Sequence, residues 1–462
     1  MAERARRRVK AARDRVLALL DPGSFVELDV LVEGAVTGYG KVHDREVYVF
    51  AQDGEVPPES LGEAFVRKAA KVVDLAMKNG APVIGLYDGG SWWGPGLATS
   101  REVAESFTPD EQAGLGVYSE LYFRTVMASG FIPQIAAILG PCFGTTACAA
   151  ALADLTLMVK GAGLLAVASG ESPHDATGLR LEETAGARTH SEKTGLACLA
   201  ADTETECLEM IRTLLGYLPQ NNLEDPPRLE SFDPPERKEE WLEGVLAAPG
   251  SHGYDMREVI RRVVDEGEFV ELAPNWAENL VIGFARVGGN AVGIVANQPA
   301  VMNGRLDGAG SVKAARFVRF CDAFNLPLVV LVDTPGFVEK EDKPGELLRA
   351  AAKLMYAFAE ATVPKVTVIT GRAYGPAYEL MCSRFLRADL NFAWSCSQIA
   401  ERPGEGVHDF RESASPFAAA ARGLLDDVIT PSETRLRLVT GLEACSSKRE
   451  GRPPKKHGNI LL

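Results

Sequence analysis

Two stretches of the chain share one pattern of apolar and polar positions. In the first, an unbroken apolar run at 135–139 meets Gly140-Pro-Cys-Phe-Gly144-Thr-Thr and then small and apolar residues at helical spacing. In the second, the apolar run 366–369 meets Gly371-Arg-Ala-Tyr-Gly375-Pro-Ala and continues in the same way. A short apolar run bounded by glycine predicts a buried strand, and the spacing after it predicts a helix. Such a strand–glycine turn–helix unit leaves backbone N–H groups free at the helix start, where they hold an anion or a developing oxyanion. One glycine turn says little, because tight turns need glycine in any case. Two of them, at the same place in each half, say more.

The remaining pattern fills in around these units. Residues 3–20 predict a charged helix stopped by Asp21-Pro-Gly-Ser, and residues 24–52 a meander of three strands. A helix over 60–80 ends at Asn79-Gly80. Residues 83–88 form a buried strand that runs into the loop Gly89-Gly-Ser-Trp-Trp-Gly-Pro-Gly96, where Trp92 and Trp93 either wall a pocket or cover an interface. Helices are expected over 116–130 and 203–218.

Several segments recur 244 or 245 residues later. Asp265-Glu-Gly-Glu-Phe269-Val-Glu-Leu272 echoes Asp21-Pro-Gly-Ser-Phe25-Val-Glu-Leu28, and Val281-Ile-Gly-Phe echoes Val36-Thr-Gly-Tyr. The strand ending at Asp333 echoes the one ending at Asp88. A repeat this long is a duplicated domain. The proline-rich, charged stretch after 219 marks the boundary, giving an N-terminal domain 1–222, a linker 223–252 and a C-terminal domain 253–462. Strands alternating with helices predict an α/β fold.

Composition narrows the function classes. The chain has 462 residues, 46% apolar and 24% charged, enough for two large cores. A net charge of −14 argues against nucleic acid as the partner. No apolar run approaches a membrane span, and the basic N-terminus lacks the apolar core of a signal peptide, so a cytoplasmic protein is expected. The eight cysteines are scattered without a CxxC pair and read as buried free thiols; the six histidines are dispersed, so no metal site is expected.

The chain resembles the carboxyltransferase β subunits of biotin-dependent acyl-CoA carboxylases, such as propionyl-CoA carboxylase. The resemblance is carried by Gly23-Ser-Phe-Val-Glu-Leu28, Gly34-Ala-Val-Thr-Gly-Tyr-Gly40, Gly140-Pro-Cys142, Gly186-Ala-Arg-Thr-His190 and Tyr217-Leu-Pro-Gln-Asn-Asn222. It continues through Val295-Ala-Asn-Gln-Pro299, the run from Lys313 to Phe324, Asp333-Thr-Pro-Gly-Phe337, the run from Tyr356 to Lys365, Ala373-Tyr-Gly375 and Lys455-Lys-His-Gly-Asn459. It implies tandem crotonase-like (ClpP/crotonase) ββα-spiral domains in a hexamer, a dimer of trimers, with the N-domain of one subunit facing the C-domain of another. It implies that Gly144, Thr145 and Thr146 form an oxyanion hole for a coenzyme A thioester. It implies the same of Gly375, Pro376 and Ala377 for the ureido oxygen of carboxybiotin. Biotin then sits on a separate carrier subunit, since no Met-Lys-Met biotinylation site is present, and a biotin carboxylase or carrier partner is implied. Glu379 corresponds to a position that helps choose the acyl chain.

The departures cluster at these turns. The first has Gly144-Thr145 and the second Gly375-Pro376 where the family has paired glycines, and proline has no N–H to donate. The family's longer helical insert between 400 and 416 is replaced by a short polar link. Three readings stay open: a carboxyltransferase moving CO2 from carboxybiotin to the α-carbon of a short acyl-CoA; a biotin-independent decarboxylase or other enolate enzyme acting on malonyl-type CoA or carrier-protein thioesters; and a non-catalytic partner subunit. Tyr374, Tyr378, Glu379 and His190 are candidate bases by residue type, and His190 is equally well a structural histidine. The proton also has an acceptor in the ureido nitrogen of biotin.

Overall fold

The structure, a computed structural model, describes residues 2–32, 34–52, 58–89, 117–167, 180–245, 253–339, 345–401 and 414–460. The chain divides into two compact units, Met1–Glu224 and Asp225–Leu462.

In the first unit, helix α1 (Ala2–Leu19) buries Val16 and Leu19 and leaves Leu17 exposed. The meander follows as β1 (Val26–Leu28), β2 (Ala35–Val42) and β3 (Arg45–Gln52), paired antiparallel. Next come helix α2 (Pro58–Asn79), stopped by Gly80 at a φ of 61°, and strand β4 (Val83–Tyr87). Helix α3 (Val117–Ala128) leads into β5 (Gln134–Ile138), then β6 (Pro141–Phe143) and helix α4 (Gly144–Ala151). Strands β7 (Leu155–Val159), β8 (Leu164–Ala166) and β9 (Leu199–Ala201) and helix α5 (Glu204–Leu215) complete it. Among the described residues the sheet runs β1-β2-β3-β4-β5-β7-β9, parallel from β3 onward, while β6 pairs with β8 apart from it. The parallel strands are apolar on both faces because helices cover both sides, as such a sheet requires.

The second unit repeats the order. Strands β10 (Phe269–Leu272), β11 (Leu280–Val287) and β12 (Asn290–Asn297) form the meander, helix α6 (Gly308–Ala323) follows, and β13 (Leu328–Thr334) matches β4. Helix α7 (Glu346–Glu360) leads into the long β14 (Lys365–Tyr374) and the short helix α8 (Gly375–Leu380). Strands β15 (Leu390–Trp394), β16 (Gln398–Ala400) and β17 (Asp427–Ile429) close the unit. The sheet runs β10-β11-β12-β13-β14-β15-β17, with β16 on the far end of β14. Thus β14 does in one strand what β5 and β6 do in two.

The same buried cation props up each meander. Lys68 on α2 donates to the carbonyls of Asp29, Val32 and Ala35. Lys313 on α6, 245 residues later, donates to those of Ala273, Trp276, Ala277 and Leu280 at 2.7–3.3 Å. Each ammonium satisfies a loop whose carbonyls would otherwise be buried without donors.

Two sequence expectations change in detail. Residues 225–245, read above as part of a linker, belong to the second unit, where Leu242 and Val245 join its core and Arg435 holds the Asp233 and Pro234 carbonyls. The thiols are not uniformly buried: Cys142, Cys207, Cys321 and Cys382 are, whereas Cys148 and Cys396 are exposed. The reading of 89–96, with Trp92 and Trp93, and that of the link between 400 and 416 fall largely on residues outside those described. No helix of the described residues is long and apolar enough to cross a membrane, and none of their His, Cys, Asp and Glu side chains form a group of three or more able to hold a metal ion.

Candidate active site

Of the two glycines in each turn read from the sequence, the second is the one that turns the chain. Gly371 lies within β14 and Gly140 at a bend between β5 and β6, neither at positive φ; the backbone turns into the helix at Gly144 and Gly375, whose φ values are 62° and 57°. Both are left-handed, which side chains resist. At Gly144 the space for a Cβ is nearly open, with Val167 O 3.9 Å away, so the dihedral alone demands glycine. At Gly375 a Cβ would also press on Glu401 O at 3.0 Å. The residues before them, Phe143 and Tyr374, are extended and pair in parallel with Ala166 and Ala400. The two turns are therefore one device built twice.

Gly140 and Gly371 serve another purpose. A Cβ on Gly140 would overlap the Asp88 carboxylate, and one on Gly371 the Asp333 carboxylate. Asp88 follows the last residue of β4 and Asp333 is the penultimate residue of β13, and each reaches across to the chain carrying the turn. Arg15 of α1 holds Asp88 at 2.8 Å and is itself gripped by both oxygens of Glu204 at 2.6–2.8 Å. In the second unit the cation comes from the turn-bearing strand: Arg372 Nε and backbone N donate to Asp333 Oδ1 at 2.7 and 3.0 Å. Asp333 is wholly buried, and its other oxygen has no hydrogen-bond partner among the described residues.

Beyond Gly144 the first turn of α4 presents N–H groups that have no acceptor inside the helix. Thr145 is exposed; Thr146 is buried, with its hydroxyl 2.9 Å from that of Tyr118. Tyr122 Oη donates to the Thr145 carbonyl at 2.6 Å. In the second turn Pro376 is exposed at the second position of α8 and has no N–H, while Ala377 behind it is buried and keeps one. Tyr378 is buried, its hydroxyl has no partner among the described residues, and burial beside Glu379 pushes it up to about 12. Glu379 is exposed. Tyr374 is buried and its hydroxyl donates to Gln398.

The candidate bases separate accordingly. Both ring nitrogens of His190 are engaged, one 2.7 Å from Leu165 O on β8 and the other 3.0 Å from the Thr194 hydroxyl. That ring braces the strand behind the first turn. Burial raises Tyr374 and Tyr378, which disfavours both as proton acceptors at neutral pH. Sequence reasoning missed Tyr118, Tyr122, Arg15 and the Asp–Gly pairs. The matched spacing of Asp88 and Asp333 was the one signal that could have drawn attention to the pairs.

Comparison with known proteins agrees with this architecture. A family model described as the carboxyl transferase domain matches residues 4–410 and 405–460. The propionyl-CoA carboxylase carboxyltransferase subunit of Haloferax mediterranei is 42% identical over 98% of this chain and 93% of its own. The methylmalonyl-CoA decarboxylase subunit alpha of Veillonella parvula is also 42% identical, over 98% of this chain and 93% of its own. Transcarboxylase 12S, solved as a hexamer assembly with hydrolysed methylmalonyl-coenzyme A bound, superimposes with a TM-score of 0.88 at 35% identity, covering 99% of this chain and 95% of that one.

Proposed function

The chain belongs to the carboxyl transferase domain family, and we propose that it moves a carboxyl group between carboxybiotin on a separate carrier and the α-carbon of a short acyl-CoA. Its fold is the crotonase-like α/β fold of that family, and it is a carboxyltransferase of the propionyl-CoA carboxylase type. The observation that carries the finer reading is the duplication of one left-handed strand–glycine–helix turn, at Gly144 and at Gly375. The reaction has two carbonyl oxygens to hold, one on the thioester and one on the ureido ring, and the chain offers two sets of N–H donors of the same design.

At the first turn, Gly144, Thr145 and Thr146 receive the thioester oxygen. When the C–H bond α to the thioester breaks, its electron pair moves onto that oxygen. Aligned N–H groups stabilise the enolate, each worth about 3 kcal/mol. The side chain of Thr145 stands outward and narrows the space beside the acyl group.

At the second turn, Gly375 turns the chain and Ala377 supplies an N–H behind Pro376. These residues fit a carbonyl held by one backbone donor. Carboxybiotin, when bound there, supplies the CO2 and a ureido nitrogen that takes up the α-proton. Pro376 and Glu379 are the exposed side chains of the second turn, and Tyr378 is buried beside them. By likeness to the transcarboxylase 12S assembly, further copies of the chain complete a hexamer, and a biotin carrier subunit docks on it.

Pro376 also favours a second reading, decarboxylation of a malonyl-type thioester without biotin, because it removes a donor from the biotin side alone. Turnover of malonyl-CoA and methylmalonyl-CoA with and without free biotin separates the two. Carboxybiotin formation, or CO2 release that requires biotin, supports the carboxyltransferase. CO2 release of equal rate without biotin transfers the protein to the second reading.

A further inference from the structure

Helix α3 sends two tyrosine hydroxyls to the first turn from positions four apart, hence from one face. Their rings lie 6.3 Å apart, tilted by 41°. Tyr122 donates to the Thr145 carbonyl at 2.6 Å, and the Tyr118 and Thr146 hydroxyls are 2.9 Å apart.

The Thr145 carbonyl and the Thr146 N–H belong to a single planar peptide. A donor fixed on the carbonyl therefore fixes the direction of the N–H on the other side. It also polarises the peptide, and a chain of hydrogen bonds strengthens each member by roughly 10–30%. Tyr118 acts on the same residue from its side chain, tying the Thr146 hydroxyl to α3. Phe143, the residue that caps α4, adds no side-chain hydrogen bond to the helix start.

We propose that Tyr118 and Tyr122 are positioning residues for the thioester site: they act through the Thr145–Thr146 peptide to hold its N–H on the substrate oxygen. The inference rests on the reading that the first turn receives that oxygen. It assigns a reason to Thr146, whose hydroxyl offers Tyr118 a partner that glycine or alanine would not; Tyr122 uses the Thr145 carbonyl, which any residue carries.

Tyr118→Phe and Tyr122→Phe keep the rings and remove only the hydroxyls. Two readouts decide the proposal. In the free protein, amide hydrogen exchange at 148–150, whose N–H groups bond back to the carbonyls of 144–146, should speed up about fivefold or more, the loss of one ordinary hydrogen bond, with exchange elsewhere within twofold of wild type. In steady-state assays of methylmalonyl-CoA turnover, kcat should fall about fivefold while KM stays within twofold. Unchanged exchange at 148–150 in both variants overturns the proposal, and so does faster exchange with kcat unaltered. If the wild-type protein turns over no malonyl-type thioester, the carboxyltransferase reading fails, and the exchange result alone still decides whether the tyrosines order the turn.

Discussion

The carboxylate of Asp88 lies where a side chain on Gly140 would stand, and Asp333 and Gly371 repeat the relationship in the second unit. The C-terminal end of β4 or β13, where the aspartate sits, and the chain that carries the turn thus meet without a Cβ between them. Arg15 neutralises one carboxylate from α1, and Arg372 the other from within its own strand.

Gly140→Ala and Gly371→Ala should each destabilise by about 1–3 kcal/mol, the usual cost of overpacking. Gly371→Ala should cost more, because Asp333 is fully buried and held through Arg372 and Asn303, which leaves no room to retreat. Denaturant midpoints of the two variants measure this directly.

Pro376→Gly restores an N–H at the second position of α8. If that position faces the ureido oxygen, carboxyl transfer to free biotin should rise about 100- to 1,000-fold, the inverse of deleting one oxyanion donor. Biotin-independent CO2 release should not change. Initial rates with both acceptors provide the comparison.

Lys313→Met leaves four buried carbonyls without their donor and should cost about 2–4 kcal/mol. Lys68→Met should behave alike on a smaller scale, with three carbonyls orphaned. Burial pushes the Lys313 ammonium from 10.5 down to about 8. Between those values the unfolded chain binds the extra proton, so this group's contribution to stability rises with pH. The advantage of wild type over Lys313→Met should therefore widen as pH is raised from about 8 towards 10.5, as read from urea unfolding at a series of pH values.

His190→Gln should leave the pH dependence of kcat as it is in wild type, because the ring's two nitrogens are spent on Leu165 and Thr194. Stability should fall by about 1 kcal/mol, the net worth of an ordinary hydrogen bond. A lost ionisation in the rate profile would instead make His190 the base.

What the sequence disclosed was whatever repeats locally. The 244–245-residue echo announced two similar units, and the apolar runs announced β5 and β14. What it hid was whatever depends on distant strands meeting. Gly140 and Gly371 looked like turn residues, since nothing near them in the chain reveals the aspartates arriving from β4 and β13. Lys68 and Lys313 look like any lysine on a charged helix until the meander loops fold over them. Arg15 sat in a helix that read as solvated, and only α5, some 190 residues later, completes its ion pair with Glu204. Tyr118 and Tyr122 belong to a helix with little apolar asymmetry, so their inward hydroxyls left no periodic trace.

The account stands on the first turn receiving the thioester oxygen. The most direct measurement is a structure of the protein with a CoA analogue in which methylene replaces the thioester sulfur and the carbonyl is kept. The carbonyl oxygen should lie within about 3.2 Å of a backbone nitrogen in the turn formed by Gly144, Thr145 and Thr146. An acyl carbonyl bound elsewhere, with that turn empty of ligand, would contradict it.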